Sequence, residues 1–209
     1  MSKNRALWSC VIVTFAVVAP LSAQSQIEVG PLVALYAPLG SFQRAPYYST
    51  ALPSSPGDLT GAAWGGQARL WFGPRIGVQL QVASASSDVG GGNTPGGSFP
   101  PTPARVLTAT AQVLWGLPTS HQDFQAWLSG GAGLIRHDGT AYRQYSSPVQ
   151  LGTAVGFGAA WTLSRHVVAN IGVTALLYNI DVSDSTGTSL EHGLQVDPLM
   201  HAGLSLRWR

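Results

Sequence analysis

The chain has 209 residues, of which only 10% are charged while 25 are glycine, a balance unusual for a domain bathed in water. A single cysteine excludes a disulfide framework and a thiolate metal site, and a formal net charge of only +2 argues against the basic surface that nucleic acid requires. The length suits one domain built on one sizeable sheet.

The first predicted element is a leader. Lys3 and Arg5 precede the apolar run Val11 to Ala19 and small Ala23 follows, the layout of a secretory signal peptide over residues 1–23. The run is shorter than the roughly 20 residues that a transmembrane helix needs. Cys10 stands before the run, the wrong order for a lipoprotein. Cleavage after Ala23 removes Cys10, Lys3 and Arg5 and leaves nine arginines against nine acidic residues, so the domain expected over 24–209 is neutral.

From there the hydropathy period is two. Segment 27–36 sets Val29, Val33 and Leu35 against Glu28 and Leu32, and its Pro31, which cannot donate to a ladder, predicts a bulge. A long Pro/Ser-rich link, 37–61, leads to 62–72, where Trp64, Leu70 and Phe72 oppose Gln67, Arg69 and Trp71. The short turn Gly73 to Arg75 opens 76–84, with Ile76, Val78, Leu80 and Val82 against Gln79 and Gln81. The next link holds the run GGGNTPGG, Gly90 to Gly97, which lacks the Lys-Ser/Thr ending and following helix of a phosphate loop and reads as a flexible outer loop. In 105–115, Leu107, Val113 and Trp115 oppose Thr108, Thr110, Gln112 and Leu114; after a short turn, 124–136 sets Phe124, Ala126, Leu128 and Leu134 against Gln125, Trp127 and Ser129. A long link, 137–148, precedes 149–161, where Val149, Leu151, Val155, Phe157 and Trp161 oppose Gln150 and Gly152. The short turn 162–166 then leads to 167–178, with Ile171, Val173 and Leu177 against Asn170, Thr174 and Leu176. After the long link 179–197, the segment 198–209 ends the chain in mid-pattern, Leu204, Leu206 and Trp208 alternating with Ser205 and Arg207.

Each segment is close to the nine to eleven residues with which a tilted strand crosses hydrocarbon. Short and long links alternate, which places them at opposite ends of an up-and-down sheet, the short ones periplasmic and the long ones outside. No charge is expected on the apolar face, because one near a bilayer midplane costs about 2–4 kcal/mol. A soluble ligand-binding barrel would have the opposite polarity. Phe72, Trp115, Phe124, Trp161 and Trp208 share the apolar parity beside short turns or the C-terminus and predict an aromatic girdle at one membrane boundary. The fold class is therefore all-β, an eight-stranded antiparallel up-and-down transmembrane β-barrel.

The terminus, with His201, Gly203, Leu206 and Trp208 in order, resembles the C-terminal assembly signal of bacterial outer-membrane barrels, although Arg209 follows the final aromatic. The chain as a whole resembles a small OmpA/OmpX/OmpW-type barrel. That resemblance implies export to the outer membrane, contact with outer-membrane lipid, and recognition by the barrel-assembly machinery during biogenesis.

Closing such a sheet brings Glu28, Arg69 and Arg207 to the inner face at similar height, where a charge survives only when paired. Such a cluster either gates the lumen or is a structural ion-pair network, and the structural reading is preferred. Gln67, Gln79, Gln112 and His201 supply further lumen polarity; Tyr36 and Tyr178 share the His201 face nearer the outer rim. His137, Asp138, Asp181, Asp184, Glu191 and His192 gather toward the outer mouth without a nucleophile in a recognisable motif, so they read as solvated loop charge. No catalytic residue, metal or cofactor is expected. The leading functional expectation is a structural or surface-interaction protein acting through long outer loops. The runner-up is a narrow pore or hydrophobic-solute conduit, given Leu32, Trp71, Leu114, Trp127 and Leu176 inside; an envelope lipid- or peptide-cleaving enzyme is weaker.

Overall fold

Period-two alternation of branched and aromatic residues with small and polar ones gives strands throughout. The computed structural model describes residues 25–39, 60–89, 92–94, 97–99, 102–139, 148–183 and 189–208. In chain order these hold β1 (Ser25–Tyr36), β2 (Gly61–Phe72), β3 (Ile76–Val89), β4 (Gly92–Thr94), β5 (Gly97–Phe99), β6 (Thr102–Leu117), β7 (Phe124–Asp138), β8 (Val149–Ser164), β9 (Val167–Ser183) and β10 (Ser189–Trp208). Eight of them close a barrel in the order β1-β10-β9-β8-β7-β6-β3-β2, every pair antiparallel, while β4 and β5 form a separate two-stranded hairpin. The expected signal peptide lies outside the described residues, as does most of the 37–61 link.

The register sets the tilt. From Ser25 the cross-strand partners run through Phe72, Ile76, Trp115, Leu128, Phe157, Val173 and Met200 and re-enter β1 at Leu35, ten residues further on. Such a stagger over eight strands inclines them by about 40° to the barrel axis, so each residue advances about 2.5 Å along it.

Three expectations about the strands and their pairing are corrected. The strands are taller than the sequence segments: β3 and β6 continue to Val89 and from Thr102, and β9 and β10 fill most of the expected 179–197 loop. Once register is fixed, each added residue satisfies backbone groups across the ladder, and Gly, Ser and Pro composition does not prevent it. For the same reason Gly92–Thr94 and Gly97–Phe99, expected as a flexible run, pair with each other. Finally, Pro31 makes no bulge: Val29 pairs with Leu206 and Leu32 with Gly203, one unbroken register. The ladder to β10 merely lacks the Gly30 and Pro31 pairs, and the register shifts lie at Thr162/Ser164 and Ser189/Glu191.

The outward face is apolar over its middle. Val33, Trp64, Leu80, Val113, Leu128, Leu151, Phe157, Ile171 and Leu204 are all exposed. Contrary to expectation it carries charge at its outer end: Arg105, Arg136 and Asp138 have outward parity, and Arg136 bridges Asp138 at 3.0 Å. These positions lie at the outer margin of the apolar belt, beside exposed Val149, where the cost that excludes charge from mid-hydrocarbon falls away.

Candidate functional site

The candidate site is the lumen, because the inward face gathers nearly all the buried polar groups. At the short-turn end, register puts Glu28 between two arginines, opposite Arg69 on β2 and Arg207 on β10. Arg207 donates from Nε and Nη2 to Glu28 Oε1 at 2.9 and 2.7 Å, and from Nη1 to Thr162 Oγ1 at 3.0 Å. Arg69 Nη1 lies 3.3 Å from Glu28 Oε2, and its guanidinium stacks 4.8 Å from the Trp127 ring centroid. Trp127 in turn meets Trp71 edge-on at 6.1 Å, with Leu114, Ala160 and Val168 packed beside them. Arg69 and Glu28 are each 1% exposed, so this level of the barrel is filled. A cation held against an aromatic face and a carboxylate in a dry interior is strongly attracted to both.

Above it lies an amide and hydroxyl layer. Gln67 donates to Asn170 Oδ1 at 2.6 Å, Asn170 to Ser205 Oγ at 3.3 Å, Gln79 to Gln81 Oε1 at 3.3 Å and Gln112 to Thr110 Oγ1 at 3.0 Å. His201 is buried here in space that a glycine leaves open: a Cβ at Gly172 would stand 2.8 Å from its Nε2. Over this layer comes a mainly apolar one that includes Leu32, Ala63, Val106, Ile135, Leu176 and Leu199.

The outer end of the lumen holds a network that sequence reasoning missed. Asp197 on β10, 1% exposed, accepts from Tyr36 Oη at 2.5 Å and Tyr178 Oη at 2.7 Å, both on Oδ2, while Gln195 Nε2 donates to Oδ1 at 2.7 Å. The Tyr178 hydroxyl also lies 3.4 Å from His137 Nε2. Since that hydroxyl gives its hydrogen to Asp197, His137 must carry its proton on Nε2 to donate in turn. The chain of contacts links β1, β10, β9 and β7, a brace across the lumen. The signal was available in Gln195, Asp197, Leu199 and His201, which keep period two straight through Pro198.

His137 and Asp138 do not combine into a site at the mouth: consecutive strand residues face opposite sides, His137 inward and buried, Asp138 outward on Arg136. Asp181 and His192 are backbone partners in the β9–β10 ladder, and Asp184 lies outside the described residues. Of the girdle, Phe72, Trp115, Trp161 and Trp208 are exposed, and Phe124 packs on Trp161 with ring centroids 4.9 Å apart. Phe72, Phe124 and Trp208 lie level, Trp161 slightly and Trp115 about 7 Å further toward the outer end, given the tilt. In the terminal strand His201 points in, and Leu206 and Trp208 point out beside the β1–β10 closure.

The sequence matches no family model and no curated protein. Solved structures do share the fold. The outer membrane protein OprG from Pseudomonas aeruginosa superposes with a TM-score of 0.58 at 16% identity, over 89% of this chain and 97% of that one. Outer Membrane Protein W of E. coli gives 0.52 at 16% identity, over 88% and 98%. The outer membrane protein AlkL, solved in DMPC bilayers, gives 0.52 at 15% identity, over 89% and 91%. The chain thus has the closed eight-stranded antiparallel fold of small outer-membrane barrels, and at these identities the likeness is one of fold.

Proposed function

We propose that the chain is exported by its N-terminal segment, folded by the barrel-assembly machinery, and held in the bacterial outer membrane as a non-enzymatic barrel. Its filled lumen serves stability, and its role is structural or one of surface interaction through the outer loops. The observation that carries this reading is the sidedness of the wall. Leu80, Val113 and Ile171 face outward and exposed at mid-height, while Gln79, Gln112 and Asn170 beside them are buried within. Water on that outer face would be strongly unfavourable; acyl chains would not. The shared fold with outer-membrane proteins supports the same location.

Val113→Arg is therefore expected to destabilise the barrel in lipid vesicles by about 2–4 kcal/mol, whereas the same change at an exposed turn residue such as Ser120 has little effect. Denaturant midpoints of the two variants check this. Equal midpoints would overturn the membrane assignment.

A conduit for hydrophobic solutes is the second reading, favoured by the apolar residues Leu32, Ala63, Leu176 and Leu199 beneath the outer brace. Purified protein folded into a planar bilayer separates the two. The structural reading expects no single-channel events and no faster entry of an apolar dye into vesicles. Either signal, from protein shown to be folded, moves the assignment to transport.

A further inference from the structure

The three charged residues of outward parity on β6 and β7 are not scattered. Arg105 on β6 and Asp138 on β7 are direct cross-strand partners, and Arg136 lies two residues from Asp138 on the same face. Arg136 is held at both ends of its fork by Asp138, Nε to Oδ2 at 3.0 Å and Nη2 to Oδ1 at 3.1 Å. Arg105 donates from Nε to Ser84 Oγ at 3.3 Å, which leaves both terminal amines to other acceptors, and Ser86 is its partner on β3. Arg105, Arg136 and Asp138 stand above Val82, Leu107, Leu134 and Leu151 on the same wall.

Height is the informative quantity. On β7, twelve residues separate Arg136 from Phe124 in the girdle, which at this tilt is about 30 Å along the axis. The stagger between β6 and β7 puts Arg105 at the height of Arg136 within a residue. Two guanidinium groups therefore lie one hydrocarbon thickness from the aromatic boundary, pointing away from the barrel. In a bilayer that position meets head groups, and planar guanidinium pairs best with phosphate there.

We propose that Arg105 and Arg136, with Ser84 and Ser86 beside them, bind the phosphate groups of an outer-leaflet phosphoglycolipid on the β3–β6–β7 face of the barrel. Asp138 holds Arg136 flat against the wall and offsets one of the two positive charges, so these three side chains together keep one net positive charge toward an anionic ligand. This inference rests on the outer-membrane reading above.

The test uses the full barrel folded in detergent micelles and titrated with bisphosphorylated lipid A or with its dephosphorylated form, bound lipid being counted by native mass spectrometry. Wild-type protein is expected to retain the phosphorylated lipid at least tenfold better. R105Q/R136Q should abolish that preference, and D138N should raise it several-fold by removing the offsetting charge. Inorganic phosphate at millimolar concentration should not displace the lipid, because acyl chains share the binding; if it does, the site is one for free phosphate and the lipid assignment fails. Equal retention of the two lipids by wild type, or an unchanged preference in R105Q/R136Q, overturns the proposal. Gel mobility before and after heating reports folding separately. A folded barrel that does not discriminate overturns the phosphate site alone, whereas a chain that stays monomeric without detergent overturns the outer-membrane reading with it.

Discussion

Glu28→Gln is expected to cost the folded barrel about 3–5 kcal/mol, because it leaves two buried arginines facing each other without a counter-charge. The carboxylate takes two hydrogen bonds from Arg207 on one oxygen and the Arg69 ion pair on the other, so no single neighbour can replace it. Removing the entire cluster has the opposite logic. E28L/R69M/R207M deletes every charge that needs partnering and should return to within about 1 kcal/mol of wild type, since hydrophobic replacements of buried ion pairs are often neutral. Urea midpoints of protein folded into vesicles read both. A Glu28→Gln midpoint matching wild type would show that the arginines are solvated and the lumen is wet. The triple variant also divides a structural network from a gate: conductance should stay absent if Trp71, Trp127 and Leu114 fill that level, and should appear if the charges alone closed it.

That cluster was legible in the sequence because it needs only two facts, the parity of each strand and the closure of the last strand on the first. Glu28, Arg69 and Arg207 each lie within three residues of a strand end, and period two carries them to one side. The Asp197 brace was overlooked although its alternation is present, for a physical reason. The expected loop 179–197 holds Asp181, Asp184, Gly187, Gly193 and Pro198 at its edge, residues whose local preference is for turns, and only pairing between β9 and β10 makes 179–183 and 189–197 extended. Length of strand in a tall barrel is a tertiary property. Arg105 and Arg136 illustrate the converse: their outward parity follows from alternation alone, but that a charge is tolerated there depends on height above the belt, which tilt and stagger determine. His137 and Asp138 show how adjacency in sequence misleads in a strand, where neighbours are separated by the sheet itself.

Asp197→Leu should destabilise the barrel by about 3 kcal/mol or more, because it removes the acceptor on which three donors converge. The Tyr36 and Tyr178 hydroxyls and the Gln195 amide all donate to that one carboxylate, and losing such a buried acceptor costs each donor about 1–3 kcal/mol. Replacing both sides of the two phenol contacts tests whether the loss is one of unmet donors or of packing. Y36F/D197L/Y178F leaves the rings against Ile135, Leu176 and Leu199 and removes the hydroxyls, so it should recover most of the stability while His137 loses its Tyr178 contact. Hydrogen exchange adds location to magnitude. In Asp197→Leu the amides of β9 and β10 nearest the outer end should exchange faster, and those beside Trp208 should be unchanged, because the brace and the Glu28 cluster lie at opposite ends of the same strand. If dye entry into vesicles also rises in Asp197→Leu but not in Glu28→Gln, the brace is the barrier above an apolar passage, and the conduit reading gains the physical route that the closed lumen denies it. If neither variant admits dye, the packed Trp71, Leu114 and Trp127 level is sufficient to keep the barrel shut, and the two polar clusters act only as staples that fix strand register at either end of a solid core.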